Sequence, residues 1–377
     1  MPAKNNKPAS GGGALHPTDT EPVVLAQQDW FFAGGEYVER DGETFFENAM
    51  YVERYVPEDV TQAYPVVMFH GGGQTGTNFT GTPDGRRGWL HDFLRAGYPV
   101  YVIDQPERGR SGHALSVIGA SKLIRYPVSR TEQRFTAPAH SMLWPQAERH
   151  TQWPGSGRRG DPVFDRFYAS QIQALPDRRE IDKLNQDAGA ALLDEIGPAI
   201  LLTHSQSGPF GWLIADARPK LVKAILALEP NGPPFYEVEF SGGEDWYEYN
   251  DDPGRAWGIT HIPMTFDPPV ASPDELAPVL EDTADGPDLV RGYLPGGPSR
   301  QLPNLKGIPI LMMTAEASYH ATYDHCTSKF LTRAGVDHDA VRLADNGLRG
   351  NGHMVMLESN NHEAADLMLD WLASRVG

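Results

Sequence analysis

Pro198-Ala-Ile-Leu-Leu-Thr-His-Ser-Gln-Ser-Gly208 decides how the rest of the chain is read. A short apolar run ends in a tight serine-containing turn, and Pro209-Phe-Gly-Trp-Leu-Ile-Ala215 continues as the start of a helix. Strand, sharp turn and helix in that order lift a serine Oγ out of a sheet and expose it for nucleophilic attack. The usual turn has glycine two residues before and two after the serine. Here those places hold Thr203 and Ser207, both small, as the crowding of the turn requires. Ser205 is the candidate nucleophile. Ser207 is the weaker one, because its own flanks are Ser205 and the rigid ring of Pro209. A serine-rich strand-to-helix loop without chemistry is the bland alternative.

Outward from this segment the apolar runs alternate in an α/β order. Phe31 to Val38 and Glu47 to Val56 read as two early strands joined by the charged turn Glu39-Arg-Asp-Gly42, which suits a hairpin. Pro65 to His70 is a short buried-type strand that runs into Gly71-Gly-Gly73. Trp89 to Ala96 has helical spacing with Gly97 as its cap, and Tyr98 to Asp104 is the next strand. Glu180 to Ile196 is an amphipathic helix leading into the strand 198–203. Leu221 to Glu229, Ile308 to Thr314 and Ala340 to Leu343 supply three more strands, with helices over Cys326 to Ala334 and His362 to Val376. This alternation predicts an α/β fold with a mostly parallel central sheet flanked by helices. Two long intervals break it, about 105–179 and 233–306, both rich in aromatics such as Trp144, Trp153, Phe164, Phe167, Trp246 and Trp257. Loops of that length are uncommon without structure or function, so the two are expected to form a cap over the strand ends. Their aromatics suit either an apolar substrate pocket or a small core of the cap itself.

Composition bounds the function. At 377 residues the chain can form one large domain with insertions, and 40% hydrophobic with 22% charged residues fits a soluble globular protein. A formal net charge of −18 argues against a nucleic-acid partner. No apolar run approaches the roughly 18 residues of a membrane span. Residues 1–27 read as a flexible, Gly-rich tail without the apolar core of a signal peptide. The location expected is cytoplasmic, with secretion left open if a leader was removed. Cys326 is the single cysteine, so intrachain disulfides and cysteine-pair metal sites are excluded. The 13 histidines include no His-Glu-x-x-His pattern.

Serine needs a neighbouring base steered by a carboxylate. Gly350-Asn-Gly-His353 supplies an imidazole on a late glycine-rich loop, where hydrolases of this topology carry it. His362 competes but is expected to face solvent, while His320, His325 and His338 read as surface or structural. Two carboxylates compete for the acid. Glu229 closes an apolar strand before Pro230-Asn-Gly232, where burial demands a partner; Glu316, in Thr314-Ala-Glu-Ala317, is the alternative. A tetrahedral oxyanion needs backbone donors, each worth roughly 3–4 kcal/mol. One is expected from His70-Gly-Gly-Gly-Gln-Thr-Gly76, at the N–H of Gly72 or Gly73, and the other from the N–H of Gln206.

These segments together resemble the α/β-hydrolase superfamily, and more narrowly bacterial serine esterases whose acid is a Glu after the sixth strand. The resemblance rests on 70–76, Asp104-Gln-Pro-Glu-Arg-Gly-Arg-Ser-Gly112, 203–208, Leu228-Glu-Pro230, Gly350 to Met356 and Asn360 to Trp371. It extends from about Gln28 to the C-terminus, more loosely over the two insertions. Matched position by position, it implies Ser205 as nucleophile, Glu229 as acid and His353 as base. The missing elbow glycines and the triple-Gly loop depart from the pattern and leave the loop donor open.

The implied chemistry is cleavage of a small-molecule carboxylic ester through an acyl-enzyme, with no metal or organic cofactor required. A lactonase or other acyl hydrolase, and a binding protein that kept the fold without catalysis, are the alternatives. A homodimer is the expectation set by base rates alone.

Overall fold

Two long strands, β1 (Leu25–Arg40) and β2 (Glu43–Pro57), open the chain. Asp41 and Gly42 join them with φ of 51° and 83°, the left-handed pair that a two-residue hairpin turn needs. The computed structural model describes residues 22–113 and 123–376. The expected N-terminal tail lies outside the described residues as far as residue 21, whereas Leu25–Gln27, counted within it, belong to β1.

The remaining strands are β3 (Val66–Phe69), β4 (Val100–Asp104), β5 (Ala199–His204), β6 (Val222–Leu228), β7 (Phe235–Phe240), β8 (Tyr247–Arg255), β9 (Pro278–Leu280), β10 (Tyr293–Pro295), β11 (Ile310–Thr314) and β12 (Asp339–Arg342). Eight of the strands form one sheet in the order β1-β2-β4-β3-β5-β6-β11-β12. β1, β2 and β4 pair antiparallel, and every later neighbour is parallel. β3, β4 and β5 are buried at every position, as parallel strands covered on both faces must be. The expected mostly parallel α/β sheet is the observed one.

The longer helices are α1 (Trp89–Arg95), α2 (Pro162–Ala169), α3 (Arg178–Ile196), α4 (Gly208–Ala217), α5 (Asp324–Arg333) and α6 (Asn361–Arg375). α1 stops at Gly97, whose φ of 84° suits a left-handed cap and where a Cβ would meet Thr61 Oγ1 at 2.0 Å. α3 starts two residues before the expected Glu180, because Asp177 accepts the Arg179 N–H at 2.8 Å. Contrary to its expected solvent-facing position, His362 is buried, with Nδ1 2.8 Å from Asp92 Oδ1 of α1. That contact docks the terminal helix, so His362 serves the fold and not the chemistry.

The second interval folds as two antiparallel hairpins, β7/β8 and β9/β10, that the sequence reading lacks. β8 escapes it because Tyr-Glu-Tyr-Asn-Asp-Asp-Pro-Gly-Arg is polar and mostly exposed, so no alternation of apolar residues marks it. The aromatics of both intervals resolve toward core. Trp144, Trp153, Phe167, Phe240 and Trp246 are buried and join the cluster that packs Met68, Ile200 and Leu226 on one face of the sheet.

Candidate active site

Ser205 sits at the C-terminal end of β5, on the turn into α4, with φ of 55°. A non-glycine residue in that region is strained and persists only where its surroundings enforce it. Here they do. The Ser207 hydroxyl accepts the His204 N–H at 2.8 Å and donates to the Phe69 carbonyl at 2.8 Å, so the hydroxyl that replaces an elbow glycine clamps the turn. Asn231 N–H donates to the Ser205 carbonyl at 2.8 Å. The crowding is relieved on the helix side. A Cβ on Gly208 would meet Pro230 Cα at 2.5 Å, and one on Gly211 would meet Thr203 Cγ2 at 3.2 Å.

His353 Nδ1 lies 2.6 Å from Glu229 Oε2, with both side chains buried. Glu229 also accepts the Ala315 N–H at 2.9 Å and the Ser318 hydroxyl at 2.8 Å. Burial pushes its carboxyl upward, and His320 and these donors pull it back toward the charged form. Burial, then His204, His320 and Arg134, hold His353 well below the ordinary histidine value, which keeps the imidazole neutral. Nε2 takes a hydrogen bond from the Tyr319 hydroxyl at 3.1 Å. Burial raises that phenol well above its usual value, so it stays a donor, and the proton on Nδ1 faces Glu229. Among the described residues Ser205 Oγ makes no hydrogen bond to His353.

Glu316 is placed elsewhere. Its Oε2 accepts the Gly350 N–H at 2.8 Å and its Oε1 pairs with Arg349 at 3.2 Å, so it anchors the loop that carries His353. His320, read from sequence as surface or structural, is buried and stacks on His353 at 4.8 Å between ring centroids, with Nδ1 2.9 Å from Asp324. Burial pushes it down to about 4. His338 pairs with Ser328 at 2.7 Å, and neither it nor His325 lines the cavity. Glu229, His320 and His353 offer ligand atoms within 4.8 Å of one another. A cation held there would take a ring nitrogen of His353 that Glu229 or Tyr319 already engages.

Gly72 and Gln206 line the same cavity as Ser205 and His353. Gly73 has φ of 73°, and its carbonyl accepts the Ile172 N–H at 2.8 Å, which fixes the loop behind Gly72. The segment Asp104 to Gly112 braces the 70–76 loop and Gln206. Asp104 accepts the N–H groups of Gly76 and Arg110 at 2.8 and 2.9 Å. Arg108, buried, donates to the Gly71 carbonyl at 3.2 Å and Gln206 Oε1 at 3.0 Å. Burial pulls that guanidinium down to about 10.

The cavity measures about 980 Å³ with its solvent-open mouth. Both insertions reach it, the first through Tyr126, Arg130, Arg134 and Phe135 and the second through Glu237 and Phe240. Arginines and tyrosines thus stand where an apolar wall was one expectation. Sequence reasoning missed Tyr319, Ser318, His320 and these arginines, since nothing local marks a side chain that meets its partner only after folding.

No family model matches the chain. It is 45% identical over 345 residues to a fungal protein described as "Probable secreted lipase phiG", covering 91% of this chain and 88% of that one. A solved structure described as a novel bacterial esterase is 25% identical, with a TM-score of 0.64, covering 96% of this chain and 100% of that one.

Proposed function

Since the chain belongs to the α/β-hydrolase family of lipases and esterases and is a carboxylic-ester hydrolase, we propose that Ser205, His353 and Glu229 are its catalytic triad. The observation that carries this reading is the 2.6 Å contact of His353 Nδ1 with buried Glu229, beside a serine strained at φ 55° in the same cavity. His353 Nε2 takes the proton of Ser205 as Oγ attacks the ester carbonyl. The oxyanion is held by the N–H of Gln206 and a loop N–H, for which Gly72 is favoured over Gly73 because it lines the cavity. His353 then protonates the departing alcohol, and water activated by the same imidazole releases the acid from the acyl-enzyme. Glu229 keeps Nδ1 protonated and balances the imidazolium as it forms.

Nε2 must leave Tyr319 for Ser205 on this route, giving up a 3.1 Å contact. The two insertions act as the cap that shapes the ester site. No described helix is long and apolar enough to cross a membrane, and the description of the fungal relative as secreted supports export of this chain as well. In the test, Ser205→Ala abolishes hydrolysis of a p-nitrophenyl ester and labelling by a fluorophosphonate, while the circular dichroism spectrum is unchanged. Full activity in that variant would overturn the triad.

A further inference from the structure

The cavity over Ser205 is positively lined in a chain of net charge −18. Arg130, Arg134 and Arg178 face it, against one lining carboxylate among the described residues, Glu237. That carboxylate is already taken. Arg178 and Arg255 each donate to its Oε1 at 2.8 Å, and against burial, which pushes it up, they hold it down to about 2. Arg134 pairs at 3.0 Å with Glu239, whose own side chain is half exposed. Its guanidinium lies over the rings of Phe240 and Tyr319, at 5.6 and 5.4 Å.

Arg130 is different. Among the described residues no carboxylate pairs with it, its guanidinium lies over the Tyr126 ring at 5.0 Å, and its buried Nε makes no hydrogen bond. A buried N–H without an acceptor is costly, and an acceptor brought by a ligand in this cavity would relieve that cost. The rings beneath these arginines are those that touch the reacting centre. The Tyr319 hydroxyl is on His353 Nε2, and the Tyr126 hydroxyl packs on Gly72, where a Cβ would come within 2.8 Å of it.

We propose that the ester taken by this site carries a free carboxylate, as the half-ester of a dicarboxylic acid does, and that Arg130 receives that carboxylate with Arg134 beside it. The inference rests on the serine-hydrolase reading of Ser205. A planar guanidinium fork matches a carboxylate in charge and shape. A purely aliphatic acyl chain in the same place would desolvate the arginines and leave Arg130 Nε without an acceptor. Low-dielectric walls concentrate the field of the cluster and draw the anion in despite the negative surface around it.

The test compares p-nitrophenyl hemiglutarate with its neutral methyl-ester counterpart. One charge-assisted contact is worth roughly a 10- to 100-fold preference in kcat/KM for the anionic ester, and the preference shrinks as ionic strength rises. The ratio of the two esters falls toward one in Arg130→Gln and is kept in part in Arg130→Lys. A wild-type ratio at or below one, with Ser205-dependent turnover of the neutral ester, overturns the proposal and leaves the hydrolase reading standing. Failure of both esters together with no fluorophosphonate label on Ser205 removes the hydrolase reading itself, and the proposal with it. A variant-free arm uses protection of Ser205 from the fluorophosphonate: monomethyl glutarate protects and dimethyl glutarate does not. Equal protection by the two counts against a carboxylate subsite.

Discussion

One imidazole nitrogen shares a cavity with two hydroxyls. His353 Nε2 is hydrogen-bonded to Tyr319 at 3.1 Å, while Ser205 waits in the same cavity on a turn strained at φ 55°. A neutral hydrogen bond is worth about 1 kcal/mol net, so releasing Nε2 from Tyr319 speeds attack by about fivefold. Tyr319→Phe is therefore expected to raise the rate at which a fluorophosphonate acylates Ser205 by about that factor. A tenfold fall instead would place the phenol among the groups that the reaction uses. Ser205, Gln206, Glu229 and His353 could be named as candidates before folding because each stands in a local pattern: a strand-turn-helix, a strand ending in a carboxylate, a glycine-rich loop. Tyr319 and Arg130 were not, because each acquires its meaning from a neighbour far away in sequence. The solvent-facing reading of His362 failed for the same reason, since its partner Asp92 lies on α1.

The loop that presents His353 is held as a unit by two carboxylates. Glu316 secures Gly350, and buried Glu358 accepts the Gly352 N–H and Asn351 Nδ2 at 2.8 Å each and meets His150 Nε2 at 2.8 Å. Glu358→Ala leaves three buried donors without an acceptor, at about 1–3 kcal/mol each before relaxation. A loss of about 3 kcal/mol in urea unfolding is expected, with His353 displaced and kcat reduced. A loss under about 0.5 kcal/mol, the range of an ordinary surface substitution, would mean that the loop holds itself. The buried strands β3 to β6 read clearly because continuous apolar runs of that length leave few alternatives. The segment Asp104 to Gly112 was recognisable as a motif, yet its purpose was not: Asp104 and Arg108 hydrogen-bond to Gly76, Gly71 and Gln206, on the 70–76 loop and the turn after β5.

At the scale of the whole molecule, the two insertions and the sheet share one interior. Trp144, Trp153, Phe240 and Trp246 pack in the same cluster as Met68, Ile200, Leu226 and Leu311. Trp144 Nε1 donates to the Ala317 carbonyl at 3.0 Å, beyond β11. A cap with a core of its own would be free to unfold first, whereas one that borrows the core of the sheet cannot leave without exposing it. Buried Glu229 and Ser318 add a polar contact of 2.8 Å to that interior. A single transition is therefore expected. In urea, hydrogen-exchange protection of β7 and β8 should be lost together with that of β5 and β6, and tryptophan fluorescence should fall in step with far-UV circular dichroism. Loss of protection in β7 and β8 at clearly lower urea would show that the cap is an independent unit. Its arginines would then approach Ser205 only in the closed form, and the preference for an anionic ester would fade before the fold does.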